Sequence, residues 1–272
     1  MKSEISLPVT HKPSGAERRT PRARAWGEVL LPYVVFAALL GIWELLCDTG
    51  KIPQYLLPSP SQIAEATWAW RGVLAGHLWV TCYEVVLGFL LAVAVGIPLA
   101  VLIVYSNLAR RVTMPLLLIF QSVPKVALAP LILLWIGYGA SSKVLIAMIT
   151  AFFPIIINTS TGMASVEPEL LELTRSLNAP TLKVFWKVRL PWSMPYVFSA
   201  MKVAMTLSVI GAVVAEFVGS DRGLGYFILT MSTNVRTALV FAAIALLSIL
   251  GNSLFALVSA AERYFCPWTE HI

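Results

Sequence analysis

The sequence predicts an all-α membrane protein with about six transmembrane helices. Three observations carry that expectation. Hydrophobic residues fill 58% of the 272 positions and charged ones only 12%, with a mean hydropathy of +0.79, against about 45–50% and about 25% in soluble domains. Six stretches are each apolar over about the 20 residues that a helix needs to cross the hydrocarbon. Lys and Arg gather in an N-terminal tail and in alternate loops, as the positive-inside rule requires of a chain that threads back and forth. The net charge of +6 would suggest nucleic acid in a soluble protein, but topology explains these charges and no nucleic-acid partner is expected.

Residues 1–26 are polar, basic and Pro-containing, with no apolar core, and read as a disordered cytoplasmic tail rather than a signal peptide. The transmembrane domain is expected over 27–265. Its spans fall at 29–47 (read as uncleaved), 80–105, 114–135, 144–164, 194–218 and 238–261, with 266–272 as a short cytoplasmic C-terminus. The third span is interrupted by Pro124, Lys125 and Pro130, and breaks of that kind are tolerated where protein or a cavity satisfies the freed backbone. After the first span, Pro58 and Pro60 break the chain, and 61–70 reads as a short helix with Ser61 as its N-cap. Its Trp68 and Trp70 suit an interface. "GSDRGLGYF" at 219–227 reads as a turn; no Lys-Ser/Thr follows it, so it is a poor phosphate cradle. Basic residues of the tail, Arg110 and Arg111, the 175–189 segment and Arg263 lie on one side of this threading. Lys51, Arg71, Lys143, Arg222 and Arg236 lie on the other. Both termini are therefore expected in the cytoplasm.

The segment 167–191 is polar and basic between two apolar runs. Leu170, Leu173 and Leu177 recur at helical spacing, Asn178 can adopt the left-handed conformation that ends a helix, and Pro180 suits the first turn of a second helix. In that helix Leu182, Phe185, Trp186 and Arg189 share one side, and Leu190-Pro191 is expected to end it. Physically this is two short helices in an L at the membrane surface. An amphipathic interfacial loop and a docking element for a cytoplasmic partner fit it equally.

The same residues resemble the EAA loop of ABC importer permeases, whose pattern is Glu-Ala-Ala, three residues, Gly, nine residues, Ile-x-Leu-Pro. Glu172 stands at the Glu position, Leu173 and Thr174 at the two Ala positions, Asn178 at the Gly, Val188 at the Ile, and Leu190 and Pro191 close the motif; Ala179 lies at its corner. Leu173 is larger than the usual Ala. "LLPSPSQI", "SVPKVALAPLILLWIGYG", "FFPIIINT" and "GSDRGLGYFI" extend the resemblance over most of the chain, toward the nitrate/sulfonate/taurine branch. It implies the type I importer permease fold with a cytoplasmic coupling helix at 167–191, in the bacterial inner membrane. It further implies a separate cytoplasmic ABC ATPase that binds ATP and Mg, a periplasmic or lipid-anchored substrate-binding protein, and a permease homodimer embedded in lipid. No cofactor is expected in this chain, which lacks a G-x-x-x-x-G-K-[ST] loop of its own. Sulfonate, taurine, nitrate or a pyrimidine-type precursor are the substrates the branch suggests.

Ionisable residues within spans are functional candidates because burying them is costly. Glu84 reads as either a solvated interface residue or part of a translocation mouth. Lys125 snorkels, meets exposed carbonyls, or lines the pathway, and Glu216, just before the 219–227 turn, is a candidate gate or substrate neighbour. Glu44 and Lys202 read as interface residues, and Gln121, Asn158 and Asn252 as interhelical hydrogen-bonding groups. His11, His77 and His271 are placed in tail or loop. Cys47, Cys82 and Cys266 show neither metal-ligand spacing nor a disulfide framework, and no catalytic or metal-binding constellation is found. An ion-gradient-driven secondary transporter is the alternative, although no internal repeat supports it.

Overall fold

A computed structural model describes residues 22–49 and 53–268, which form helices and the turns between them. In chain order the helices are α1 (Arg22–Asp48), α2 (Pro60–Ala69), α3 (Arg71–Tyr105), α4 (Asn107–Ser122), α5 (Lys125–Ile136), α6 (Ala140–Ala164), α7 (Pro168–Ser176), α8 (Thr181–Val184), α9 (Leu190–Gly219), α10 (Leu224–Thr233) and α11 (Thr237–Phe265). A π-helical turn, Phe185–Arg189, joins α8 to α9, so Thr181–Gly219 is one continuous helical rod. The expected all-α class holds. Helix begins at Arg22, inside the stretch expected to be a tail; residues 1–21, with His11, and 269–272, with His271, lie outside the described residues.

The core is a three-helix layer of α3, α6 and α9. Glycine and alanine set their separation. A Cβ placed on Gly88 of α3 would come within 2.6 Å of the Ala147 methyl of α6, and one placed on Gly211 of α9 within 3.0 Å of the Ala147 Cα. Small residues therefore let three backbones converge at Ala147, which is the means of tight helix packing where lipid supplies no hydrophobic drive between helices. Val85, Phe89, Ala92, Ala151, Ile155, Ala204, Met205 and Ala212 fill the seam.

Contacts along these seams fix direction. Gly88 meets Ala147 and Gly96 meets Ile155, so α3 and α6 run parallel; Gly162 meets Tyr196 and Gly211 meets Ala147, so α9 runs antiparallel to α6. The parallel pair forces the chain between them to cross back. That return is made by α4 and α5 together, which are bent by 95° at Val123-Pro124. Pro124 has no N–H to donate and drives the preceding residue into extended backbone, and Val123 sits at φ −70°, ψ 128°. The interrupted third span is thus two helices at nearly a right angle. Helices α3, α6, α11 and the Thr181–Gly219 rod are each long and apolar enough to cross a membrane, the bent pair taken together is long and apolar enough for a fifth, and the apolar stretch of α1, Leu31–Cys47, is shorter.

Four local expectations change. The N-cap of α2 is Ser59, one half of a capping box with Gln62, and Pro60 occupies the first helical position, where its missing N–H is harmless. Helix α3 starts at Arg71, nine residues before the expected span, which takes His77 out of the loop and into the helix. Leu190-Pro191 does not stop the rod: the Leu190 N–H donates to the Phe185 carbonyl, and this wider turn absorbs the proline without breaking the helix. The "GSDRGLGYF" stretch is a turn only over 220–223, after which α10 begins.

Candidate functional site

Polar side chains gather at the end of the core that carries α10. His77, Thr81 and Glu84 occupy successive turns of α3. The antiparallel α9 brings Glu216 beside Thr81, and the first turn of α6 contributes Lys143. Glu84 is 0% exposed, Glu216 1% and Lys143 5%. The Lys143 ammonium forms an ion pair with Glu84 at 2.5 Å and donates to Ser220 Oγ at 2.8 Å. Thr81 Oγ1 donates to Glu216 Oε1 at 2.7 Å. Paired and hydrogen-bonded charges are the form in which burial is tolerable.

The cluster caps α10. Unpaired N–H groups at a helix start need acceptors, and here three successive ones find side chains of other helices. Gly223 N donates to His77 Nδ1 at 3.0 Å, Leu224 N to Thr81 Oγ1 at 2.8 Å, and Gly225 N to Glu216 Oε2 at 2.6 Å. A carboxylate at this position also meets the positive end of the α10 dipole, which answers the second negative charge that Lys143 does not. Gly223 has φ 105°, and a Cβ there would overlap the Glu216 carboxylate. Ser220, held by Lys143, receives the Arg222 N–H at 3.2 Å. A buried clasp therefore ties α3, α6 and α9 to the 220–225 turn. It has the features of a positioning device, with no nucleophile and base arranged for chemistry.

The other sequence candidates separate from this cluster. Lys125 opens α5 at the 95° bend and lies 4.9 Å from the Phe153 ring centroid; the structure does not bring it to Glu84 or Glu216. Glu84 and Glu216 are both buried among protein, so Glu84 is not a solvated interface residue. Lys202 does not simply reach for the interface but pairs with Glu262 of α11 at 2.8 Å. Glu44 accepts from Ser61 N at 3.1 Å and Ser61 Oγ at 2.6 Å, tying α1 to the start of α2. Asn158 donates within its own helix, to Pro154 O, and not between helices. Lys143 was the residue that sequence reasoning missed. Its place at the edge of an apolar run reads as a loop, although two carboxylates inside spans call for a buried cation, and "SSKVL" offers one there.

At the opposite end, α7 and α8 form a corner. Asn178 has φ 47°; its N–H donates to Arg175 O at 2.9 Å, and that of Ala179 to Thr174 O at 3.0 Å. This paired closure is a Schellman motif with asparagine in the left-handed position. No residue between 167 and 191 is buried, and Leu173, Leu177, Leu182 and Trp186 are exposed there. Glu172, Arg175, Ser176, Asn178 and Pro180 are exposed as well, while Thr174, Ala179, Val188, Leu190 and Pro191 are half-buried toward the bundle.

A family model described as "Binding-protein-dependent transport system inner membrane component" matches residues 86–264. The chain belongs to this family. Relatives of this permease include a probable ABC transporter permease protein of Haemophilus influenzae, 34% identical over 80% of this chain and 89% of the relative. The formylaminopyrimidine transport permease protein ThiX of Halalkalibacterium halodurans is 36% identical over 89% of this chain and 97% of its own length. The putative aliphatic sulfonates transport permease protein SsuC of Bacillus subtilis is 32% identical over 98% of both chains. Among solved structures, an inward-facing conformation of the MetNI methionine ABC transporter superposes with a TM-score of 0.64 at 20% identity, over 72% of this chain and 98% of that one. The fold is that of a type I ABC importer permease, and the chain is the membrane-spanning permease subunit of such an importer. Family membership decides against the ion-gradient alternative.

Proposed function

We propose that residues 167–191 seat a cytoplasmic ABC ATPase, and that this permease passes a small solute, delivered by an extracytoplasmic binding protein, along a pathway shared with a second copy of itself. ATP and Mg belong to the ATPase in this reading. The observation that carries it is the corner itself: an exposed helix–turn–helix with unburied Leu173, Leu177, Leu182 and Trp186, locked by Asn178 and rooted in a helix that continues to Glu216. Four large apolar side chains left in water on a polar segment are what a partner groove would cover. Glu172, Leu173, Thr174, Asn178 and Ala179 are the docking residues. Val188, Leu190 and Pro191 are the root through which motion enters α9. The basic residues of the corner support a cytoplasmic side for it and for both termini.

The Glu84–Lys143–Glu216 clasp then lies at the extracytoplasmic end, where it fixes α10 against the core. In this reading Glu84 and Glu216 position a gate and do not bind solute, so their charge does not argue against an anionic substrate. Lys125, at the α4–α5 bend, is the remaining candidate for the pathway wall. The substrates named for relatives divide between sulfonates and taurine and heterocycles such as formylaminopyrimidine and riboflavin. We infer a solute of one of these two classes, chosen by the binding protein.

The test is uptake and ATP hydrolysis in proteoliposomes containing the permease, its ATPase and its binding protein. Leu182→Asp should abolish ATPase association and uptake together while leaving the permease folded. Unchanged uptake in that variant would refute the docking assignment.

A further inference from the structure

A second polar concavity lies at the corner end of the core, between the ends of α3 and α6, the first turns of α4 and the π-helical turn. It is a cavity of about 510 Å³ whose polar lining is Arg110, Ser160, Thr161, Ser165 and Arg189. Thr161 and Ser165 spend their hydroxyl protons on their own helix, on Ile157 O and Gly162 O. Ser160 does not: it is 2% exposed, and its hydroxyl has no hydrogen-bond partner among the described residues.

The two guanidinium groups point to the ligand's charge. Among the described residues, neither Arg110 nor Arg189 lies within 4.0 Å of a carboxylate. Arg189 is held in place: its guanidinium lies 5.1 Å from the Tyr105 ring centroid and donates to Met163 O at 3.4 Å, which leaves most of its five donors unspent. Arg110 comes from α4 on the other side of the cavity. An arginine present only to set topology needs no cavity beside it. Two arginines that line one cavity from different helices, with no carboxylate to neutralise them among the described residues, match an oxyanion with several acceptor oxygens.

We propose that this cavity binds one oxyanion group of sulfonate or phosphate type. Such a group would bridge α4 to the π-helical turn at the root of the corner. Two sources share this chemistry: the phosphate of an anionic lipid headgroup, which basic recesses between spanning helices recognise, and a soluble oxyanion. The proposal is independent of ATPase docking and is tested without the ATPase.

The full chain is placed in neutral phosphatidylcholine nanodiscs and titrated by calorimetry with methanesulfonate and with inorganic phosphate. Retention of added phosphatidylglycerol is followed in parallel by native mass spectrometry. Saturable binding of one equivalent per chain is expected for at least one probe. Arg110→Gln, at an exposed position on α4, should weaken it about tenfold. Lys187→Gln, which changes charge on the same turn outside the cavity, should leave it unaltered. Saturation by phosphatidylglycerol alone assigns a headgroup site, and saturation by methanesulfonate or phosphate assigns a soluble-anion site. Absence of saturable binding for all three probes, or an equal loss in Lys187→Gln and Arg110→Gln, overturns the proposal.

Discussion

Lys143 is the cation that makes buried Glu84 tolerable, and its removal should show it. Lys143→Met leaves Glu84 charged and unpaired in the core, where neither carboxylate oxygen receives a hydroxyl or amide donor among the described residues. Breaking a buried pair from one side costs about 3–5 kcal/mol, whereas replacing both partners with apolar residues is often neutral. Lys143→Met should therefore lower the unfolding midpoint strongly in detergent, and Lys143→Met combined with Glu84→Leu should recover most of the loss; equal stability of the single variant and the wild type would contradict the clasp. Gly223 offers a second test. At φ 105° it occupies backbone that a side chain enters at about 1–3 kcal/mol, and its missing Cβ makes room for Glu216. Gly223→Ala should destabilise the turn by that order and reduce uptake, read by thermal unfolding and transport. Glu84 and Glu216 were legible in the sequence because a carboxylate in a span is conspicuous. Their pairing was not, because Thr81, Lys143 and Gly225 reach them from sequence distances of up to 135 residues, and only the parallel and antiparallel packing of three helices brings these together.

Elements were legible where apolar runs are long and uninterrupted, and less so where proline intervenes. Two prolines led to opposite outcomes. Pro124 follows an extended Val123 and turns the chain by 95°, while Pro191 is absorbed by the π-helical turn and the rod continues. Sequence spacing does not distinguish these, because the difference lies in whether a neighbouring carbonyl can take an i+5 partner. Helix α10 escaped notice for another reason: it is short, and its N-terminal capping comes from His77, Thr81 and Glu216 on distant helices rather than from a local Ser, Thr or Asp. The corner is legible, since Asn178 in the left-handed conformation is what its place before Ala-Pro suggests. Asn178→Gly should therefore preserve stability and coupling. Asn178→Val should cost about 1–2 kcal/mol locally and reduce permease-stimulated ATP hydrolysis; full stimulation in the valine variant would contradict a conformational role for this residue.

At the scale of the molecule, the Thr181–Gly219 rod sets the mechanics. Its 39 residues span about 58 Å at 1.5 Å per residue, from the exposed corner to Gly219, just past Glu216. It packs along α6 for much of its length and meets α3 at Ser208, whose hydroxyl donates to Val85 O at 2.9 Å. A displacement imposed at the corner is thus carried into the same layer that holds the clasp and α10. The type I importer fold was legible because the spaced motif and the span pattern agree, while the lateral arrangement of spans, with α3 and α6 parallel, was not. The most direct measurement of the central claim is site-specific photo-crosslinking in the assembled importer, with a benzophenone side chain at Leu177 of the corner and, as a control, at Leu257 on the exposed face of α11. The account predicts an ATPase adduct from position 177, whose yield changes when ATP is trapped, and none from 257. Equal adducts from both positions, or none from 177 in an importer that still transports, would contradict it.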